Sequence, residues 1–289
     1  MAQDDRIGRI IADRYQIDRV IGRGGMGMVY GGSHTWTERP VAVKLLHADL
    51  ADDPTLLKRF FREAKATAKL RHPNVVEILD MGEDEDGSAF IVLELLEGRS
   101  LGALLAEEKR LEPPRAYAIL YPVMDALAAA HEMGIVHRDV KPENVFLAAG
   151  FRGGLVPKLL DFGIAKVLEG TMMTAAGTTL GTPTYMAPEQ AISEGPVGAS
   201  ADIWSIGAVW FHVLAGRPPV DGLVSPTATM FAIMTEDRPK LASVWPEAPP
   251  ALAGAIDRAL LRDVSQRWQT MRELMAAVRA AAEALGIAG

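Results

Sequence analysis

Hydrophobic periodicity changes once along this chain, and that change narrows the fold. From Tyr15 to Val92, short β-branched runs alternate with turn residues. Val41, Val43 and Leu45 alternate with Ala42, Lys44 and Leu46, the two-residue period of a strand. Ile91-Val92-Leu93 reads as another strand. One helix interrupts them, with Asp53 expected as its N-cap, Pro54 at its first position and an end near Leu70. From about Ser100 onward alanine-rich helical patterns take over. Helices are expected from Arg115 to a stop at Gly134, from Asp202 to a stop at Gly216, and from Met271 to Leu285. Strands first and helices after describe an α+β chain: a small β-rich lobe with one main helix, joined through Glu97-Gly98 to a larger, mostly α-helical lobe.

Composition removes several classes of function. The chain has 289 residues, 49% of them hydrophobic, so it can bury a core and is not intrinsically disordered. Thirty basic residues against 37 acidic ones leave a net charge of −7, which excludes the broad basic field that non-specific nucleic-acid binding needs. Cysteine is absent, which removes disulfides, thiolate nucleophiles and cysteine-ligated zinc. That absence fits a reducing compartment, and a cytoplasmic setting is expected. The N-terminus, Met1-Ala2-Gln3-Asp4-Asp5-Arg6, is polar rather than a secretory signal. The longest apolar stretch, Ile206 to Ala215, contains His212 and falls short of the ~20 residues a membrane helix needs, so no membrane segment is expected. Met172 to Thr184, rich in Thr, Ala and Gly, reads as a surface loop.

Gly22-Arg23-Gly24-Gly25-Met26-Gly27 fits G-x-G-x-x-G. It could be a plain glycine-rich turn, a dinucleotide-binding turn, or a hairpin loop over nucleotide phosphates. The dinucleotide turn needs a helix starting inside the motif. Gly31-Gly32 follow too closely for that, and no Gly-Lys pair exists to make a Walker loop. Lys44, alone in a strand, would by default be a solvated edge residue. Glu63 shifts that balance. Positions 56, 60, 63, 67 and 70 form one helical stripe reading Leu, Phe, Glu, Thr, Leu, and a carboxylate on such a stripe needs a partner that Lys44 could supply. The strongest signal is His137-Arg138-Asp139-Val140-Lys141-Pro142-Glu143-Asn144. Phosphoryl transfer needs an aspartate to take a hydroxyl proton, a lysine to steady the moving phosphate and an amide to hold a metal ion, and Asp139, Lys141 and Asn144 supply them. Asp161-Phe162-Gly163 follows the strand-like Lys158-Leu159-Leu160, and Asp161 is a hard oxygen ligand suited to Mg²⁺.

Taken in order and spacing, these segments resemble the eukaryotic-like serine/threonine protein kinases, and among them the bacterial members. Gly22 to Val29, Val41-Ala42-Val43-Lys44, Glu63, the 137–144 loop, Asp161-Phe162-Gly163, Ala187-Pro188-Glu189, Asp202 to Gly207 and Arg267 carry the resemblance. It implies the bilobal kinase fold over 15–280, with an N-lobe at 15–96, a C-lobe at 97–280, an extension at 1–14 and a tail at 281–289. It also implies transfer of the γ-phosphoryl of ATP, with Mg²⁺ or alternatively Mn²⁺, to Ser/Thr hydroxyls of proteins. In that frame Asp139, Lys141, Lys44 and Glu63 are catalytic, and Asn144 and Asp161 hold the metal. The nucleotide contacts Ile21, Gly22, Arg23, Gly24, Gly25, Met26, Gly27, Met28, Val29, Ala42, Lys44, Leu93, Glu94, Leu96 and Phe146. Glu189 and Arg267 form a structural ion pair, Asp202 braces the catalytic loop, and His137 is packed rather than catalytic. Arg138 is the handle for an activation loop phosphorylated at Thr178 or at a close neighbour, with Thr174 and Thr179 as the next candidates, and a homodimer is the route to autophosphorylation. Thr182 is assigned to the substrate site. Lys141 and Gly181-Thr182-Pro183-Thr184-Tyr185 follow the serine/threonine branch. The chain departs from the family's pattern at 148–157, at Val220 and over 222–249, away from the catalytic positions. A catalytically dead relative would lack at least one of Lys44, Asp139, Asn144 or Asp161, and all four are present. A small-molecule kinase is disfavoured by Ala187-Pro188-Glu189 and the threonine-rich loop.

Overall fold

The structure is a computed structural model. It describes residues 6–24, 27–46, 54–150, 153–162, 183–192, 197–221 and 225–287. The chain divides into two compact units. One holds residues 1–71, 76–97 and 164–180; the other holds 72–75, 98–163 and 181–289.

The small unit is a six-stranded antiparallel sheet. Its strands are β1 (Ile10–Ile11), β2 (Tyr15–Gly24), β3 (Gly27–His34), β4 (Pro40–Leu46), β5 (Ile78–Glu83) and β6 (Ala89–Glu94), in the order β1-β2-β3-β4-β6-β5. Alternation along β4 sorts its side chains as the sequence pattern predicts. Val41, Val43 and Leu45 pack with Tyr15, Ile17, Tyr30, Phe90 and Val92 on one face. Leu46 and Ile91 pack on the other face against Leu56, Phe60 and Ala64 of helix α1 (Pro54–Thr67). Helix α1 ends three residues before the predicted Leu70: Lys69 N bonds to Ala66 O and Leu70 N to Thr67 O, the i−3 bonds of a tightened last turn. The predicted N-cap Asp53 lies outside the described residues.

The large unit begins with a three-stranded sheet, β7 (Gly98–Ser100), β8 (Val145–Ala149) and β9 (Leu155–Leu159), in the order β7-β8-β9. The described residues of the sequence departure at 148–157 include the end of β8 and the start of β9, with Ala149 paired to Leu155. Helices follow: α2 (Leu101–Glu108), α3 (Pro113–Glu132), α4 (Pro188–Ile192), α5 (Ala199–Ala215), α6 (Pro226–Thr235), α7 (Leu241–Val244), α8 (Pro250–Ala259) and α9 (Met271–Ala284). Helix α5 is buried on all sides, as its near-continuous apolar sequence requires, with α3 and α8 packed on it. It stops at Gly216, whose φ of 78° is the left-handed cap that ends a helix without a Cβ clash. Val220 is buried among Ala191, Ala232 and Ile233, so this sequence departure serves a local core.

Residues 72–75 belong to the large unit although the small unit flanks them in sequence. Val75 bridges Leu159 in parallel, Leu159 N bonds to Asn74 O at 2.8 Å, and Asn74 Nδ2 donates to Pro157 O at 2.7 Å. His72 Nε2 lies 3.1 Å from Asp125 Oδ2 on α3, and Arg272 of α9 donates to Asp125 Oδ1 at 2.5 Å.

Candidate active site

In the small unit the strand register assembles one group of predicted residues. Gly22 pairs with Val29, Val29 with Lys44, Lys44 with Ile91 and Ala42 with Leu93. Directly paired residues share a face, so Gly22, Val29, Ala42, Lys44 and Leu93 line one side of the sheet. Ile91 on that side packs against α1, the helix that carries Glu63. Lys44 sits on a central strand and is 9% exposed, so the default view of a solvated edge lysine fails. Glu63 has a side chain 25% exposed and accepts from Arg62 at 3.1 Å. Ile21, Arg23 and Gly24 close β2, and Gly27 and Met28 open β3, a hairpin rather than the strand-to-helix turn of a dinucleotide site. Gly27 is also fixed by packing: a Cβ there would stand 1.9 Å from Leu45 O on β4. Glu94 ends β6, its N–H on Glu77 O, and Leu96 follows. Gly25 and Met26 lie outside the described residues.

The 137–144 loop of the large unit is irregular up to the short turn Pro142–Asn144, so side chains must hold it. Asp202, fully buried in the first turn of α5, does most of this. Its Oδ2 accepts from His137 N at 2.8 Å, and its Oδ1 from Arg138 N at 2.7 Å. His131 Nε2 on α3 lies 2.7 Å from Oδ2. Burial pushes the Asp202 carboxyl up, but His131 and these hydrogen bonds outweigh it and hold the group below the usual carboxylate range. Arg138 takes a left-handed backbone, φ 67°, secured from its other side by Gln190 Nε2 donating to Arg138 O at 2.9 Å. His137 is fully buried; its Nδ1 accepts from Asp139 N at 3.2 Å and its Nε2 donates to Leu160 O at 2.7 Å. Both ring nitrogens are thereby used in positioning.

These bonds bring Asp139, Lys141 and Asn144 together. Asp139 Oδ2 lies 2.7 Å from Lys141 Nζ and accepts from Asn144 Nδ2 at 3.0 Å. Asn144 Nδ2 also donates to Asp139 O at 2.8 Å, which commits the amide nitrogen and turns its oxygen into the available ligand. Leu160 N bonds to Asn144 O at 2.8 Å and so sets Asp161 beside the loop. Asp161 adopts φ 52°, and Phe162 is buried with its ring 4.7 Å from that of His137. One amide oxygen and one carboxylate form a hard donor set that fits a divalent cation bound mainly by phosphate oxygens and water. Among the described residues no group of three or more acidic or histidine side chains is placed to hold a metal ion. Phe146, on β8 opposite Lys158, is half-buried.

Around the loop, Arg267 is fully buried and grips Glu189 through two bonds, Nη1–Oε1 at 2.7 Å and Nη2–Oε2 at 2.9 Å. Its remaining donors reach the carbonyls of Leu261, Ser200 and Arg262. Sequence reasoning missed three positioning residues. His131 braces Asp202, Gln190 fixes Arg138, and His212 accepts from Tyr185 Oη at 2.6 Å with the rings stacked. Burial raises the Tyr185 phenol and lowers the His212 imidazole, so phenol donates and neutral imidazole accepts. A histidine inside the most apolar decapeptide was the available signal for His212; the other two carried none. Thr174, Thr178, Thr179 and Thr182 lie outside the described residues.

This fold and this loop define a class. The chain belongs to the protein kinase domain family, which matches residues 15–278. It is 38% identical over 276 residues to the probable serine/threonine-protein kinase PknB of Corynebacterium glutamicum, covering 92% of this chain and 42% of that protein. It is 37% identical over 279 residues to the serine/threonine-protein kinase PrkC of Bacillus subtilis, covering 96% and 42%. Among solved structures it resembles the PknI kinase domain of Mycobacterium tuberculosis with TM-score 0.74 and 30% identity, covering 95% of this chain and 98% of that one. The chain spans less than half the length of these two curated relatives. Among the described residues no helix is long and apolar enough to cross a membrane.

Proposed function

We propose that this domain transfers the γ-phosphoryl group of ATP, with Mg²⁺ or Mn²⁺, to serine and threonine hydroxyls of protein substrates. The observation that carries the reading is the Asp139 carboxylate held between Lys141 Nζ and Asn144 Nδ2 on a loop clamped to buried Asp202. Asp139 orients the acceptor hydroxyl and takes its proton as the oxygen attacks the γ-phosphorus; the bond to the β–γ bridging oxygen breaks and ADP leaves. Lys141 steadies the charge on the transferred group. Asn144 Oδ1 and Asp161 would hold the divalent ion, which supplies charge neutralisation. Lys44, in its fixed register, contacts the α- and β-phosphates and pairs with Glu63. The glycine-rich hairpin from Ile21 to Val29 covers the phosphates, while Ala42, Leu93, Glu94, Leu96 and Phe146 receive the adenine. Catalysis is then positioning plus electrostatics. The requirement for ATP supports a cytoplasmic setting for the domain.

Regulation follows from Arg138. Its Nε is buried and has no hydrogen-bond partner among the described residues, which suits a phosphate delivered by Thr174, Thr178 or Thr179. A second copy of the chain, in a homodimer, is the proposed donor. The test of the core reading is Asp139→Asn, assayed with radiolabelled ATP and a generic protein acceptor. Nucleotide affinity is expected to hold while kcat falls by roughly 10²–10⁴. Lost nucleotide binding with kcat intact would remove Asp139 from the chemistry.

A further inference from the structure

The stretch 222–249, which departs from the family pattern, borders a groove that the catalytic machinery does not use. The groove lies between residues 237–240, the end of α8 and the turn at 261–266, and its volume is about 360 Å³. That is enough for two or three side chains. Pro239, Leu260 and Leu261 give it an apolar floor. Three carboxylates and three cations line it, but they are unequally committed. Asp237 pairs with Arg262 Nε at 3.2 Å, Asp257 accepts from Leu241 N at 2.9 Å, and Asp263 accepts from Ser265 N at 2.9 Å. Arg262 is further engaged through Nη1 on Met234 O at 3.0 Å.

Arg238 and Lys240 stand apart. Arg238 Nη2 donates to Ala232 O and Glu236 O, both at 2.6 Å, closing the end of α6. Glu236 and Asp237 act on its charge only from beyond ion-pair distance, and its Nε is buried without a hydrogen-bond partner among the described residues. A buried donor in that state is costly until an acceptor reaches it. Lys240 is exposed at the rim, with no carboxylate in ion-pair distance among the described residues. Two cations with no carboxylate in ion-pair distance among the described residues therefore line the groove beside its apolar floor.

We propose that this groove is a docking site for a partner protein segment in which an acidic residue adjoins a leucine, the carboxylate meeting Arg238 and Lys240 and the leucine covering Pro239, Leu260 and Leu261. A bare inorganic anion would leave the floor uncovered. Because the chain as a whole carries −7, recognition rests on these local contacts rather than on long-range attraction. The site does not depend on phosphoryl transfer.

The probe is a fluorescein-labelled, end-capped hexapeptide, Ala-Leu-Asp-Leu-Ala-Ala, beside its Asn-for-Asp twin. Binding is read by fluorescence polarisation and by the Arg238 Nε–H resonance of ¹⁵N-labelled protein, assigned by its loss in Arg238→Lys. The acidic peptide is expected to shift that resonance and to bind at least tenfold more tightly than the Asn twin. Lys240→Glu, a rim change that spares the closure of α6, is expected to weaken the acidic peptide at least tenfold while phosphorylation of a generic acceptor stays unchanged. Equal affinity for the two peptides, or unchanged affinity in Lys240→Glu, overturns the proposal. So does inorganic phosphate moving the Arg238 resonance while the peptide leaves it still.

Discussion

The two units hold their chemistry in place by opposite means. In the small unit Lys44 is fixed by strand register, with β3 and β6 on either side and an apolar cluster on each face of the sheet. In the large unit the loop from His137 to Asn144 has little regular structure and is held by a few bonds to charged groups, chiefly those of Asp202. Packing spreads its energy over many atoms, so one lost methyl group weakens it slightly. A charged clamp concentrates its energy in one group, and removing that group leaves buried donors facing nothing. The sheet therefore tolerates small changes that the loop does not.

Asp202→Ala should give the largest effect. It removes the acceptor of His137 N, Arg138 N and His131 at once, so a loss of roughly 3–5 kcal/mol in denaturant unfolding is expected, with phosphoryl transfer below detection. Asp202→Asn retains one acceptor oxygen and should fall between. A melting profile for the alanine variant close to that of the native chain would break the contrast between the units. On the other side of the comparison, Ile91→Val trims the cluster under α1 and should cost about 0.5–1.5 kcal/mol with kcat preserved. A collapse of turnover in that variant would mean the sheet is as brittle as the loop.

Acid should separate the units more gently. The Asp202 carboxyl is held below its ordinary value, so its stabilisation is complete above the unfolded carboxyl range, about pH 4, and is lost as pH falls. Partial burial also lowers the His212 imidazole, against the raising influence of Asp221. Below about pH 6.5 the unfolded chain takes up that proton first, so stability declines as pH drops. His212→Gln should erase the part of the decline that begins near about pH 6.5, read by thermal melts across pH. An unaltered pH profile would remove His212 from the account.

Much of this was legible in the sequence, for physical reasons. The alternation around Lys44 and the stripe 56, 60, 63, 67 and 70 were visible because burial on one face imposes a period. Asp139, Lys141 and Asn144 were visible because their chemistry needs those side chains at short spacing. The partners of Asp202 were harder. His131 is 71 residues away in sequence, and only packing of α3 on α5 brings it near. Gln190 is similar: it reaches Arg138 O across 52 residues, and a glutamine at a helix start has many bland uses. The end of α1 was misplaced because Leu70 keeps the apolar period while the backbone tightens into a turn at Thr67.

The splice of residues 72–75 into the large unit has a consequence for synthesis. Asn74 leaves the ribosome 83 positions ahead of Pro157, the residue its side chain bonds. At about 5–20 residues per second, that interval lasts roughly 4–17 s. Throughout it, α1 and β5 are joined by a loop that lacks its bonds to β9. A nascent chain ending at Glu97 therefore contains every strand of the six-stranded sheet but not the anchors of the loop between α1 and β5. The bonds of Asn74 and Val75 to β9 therefore form only after β9 has been translated.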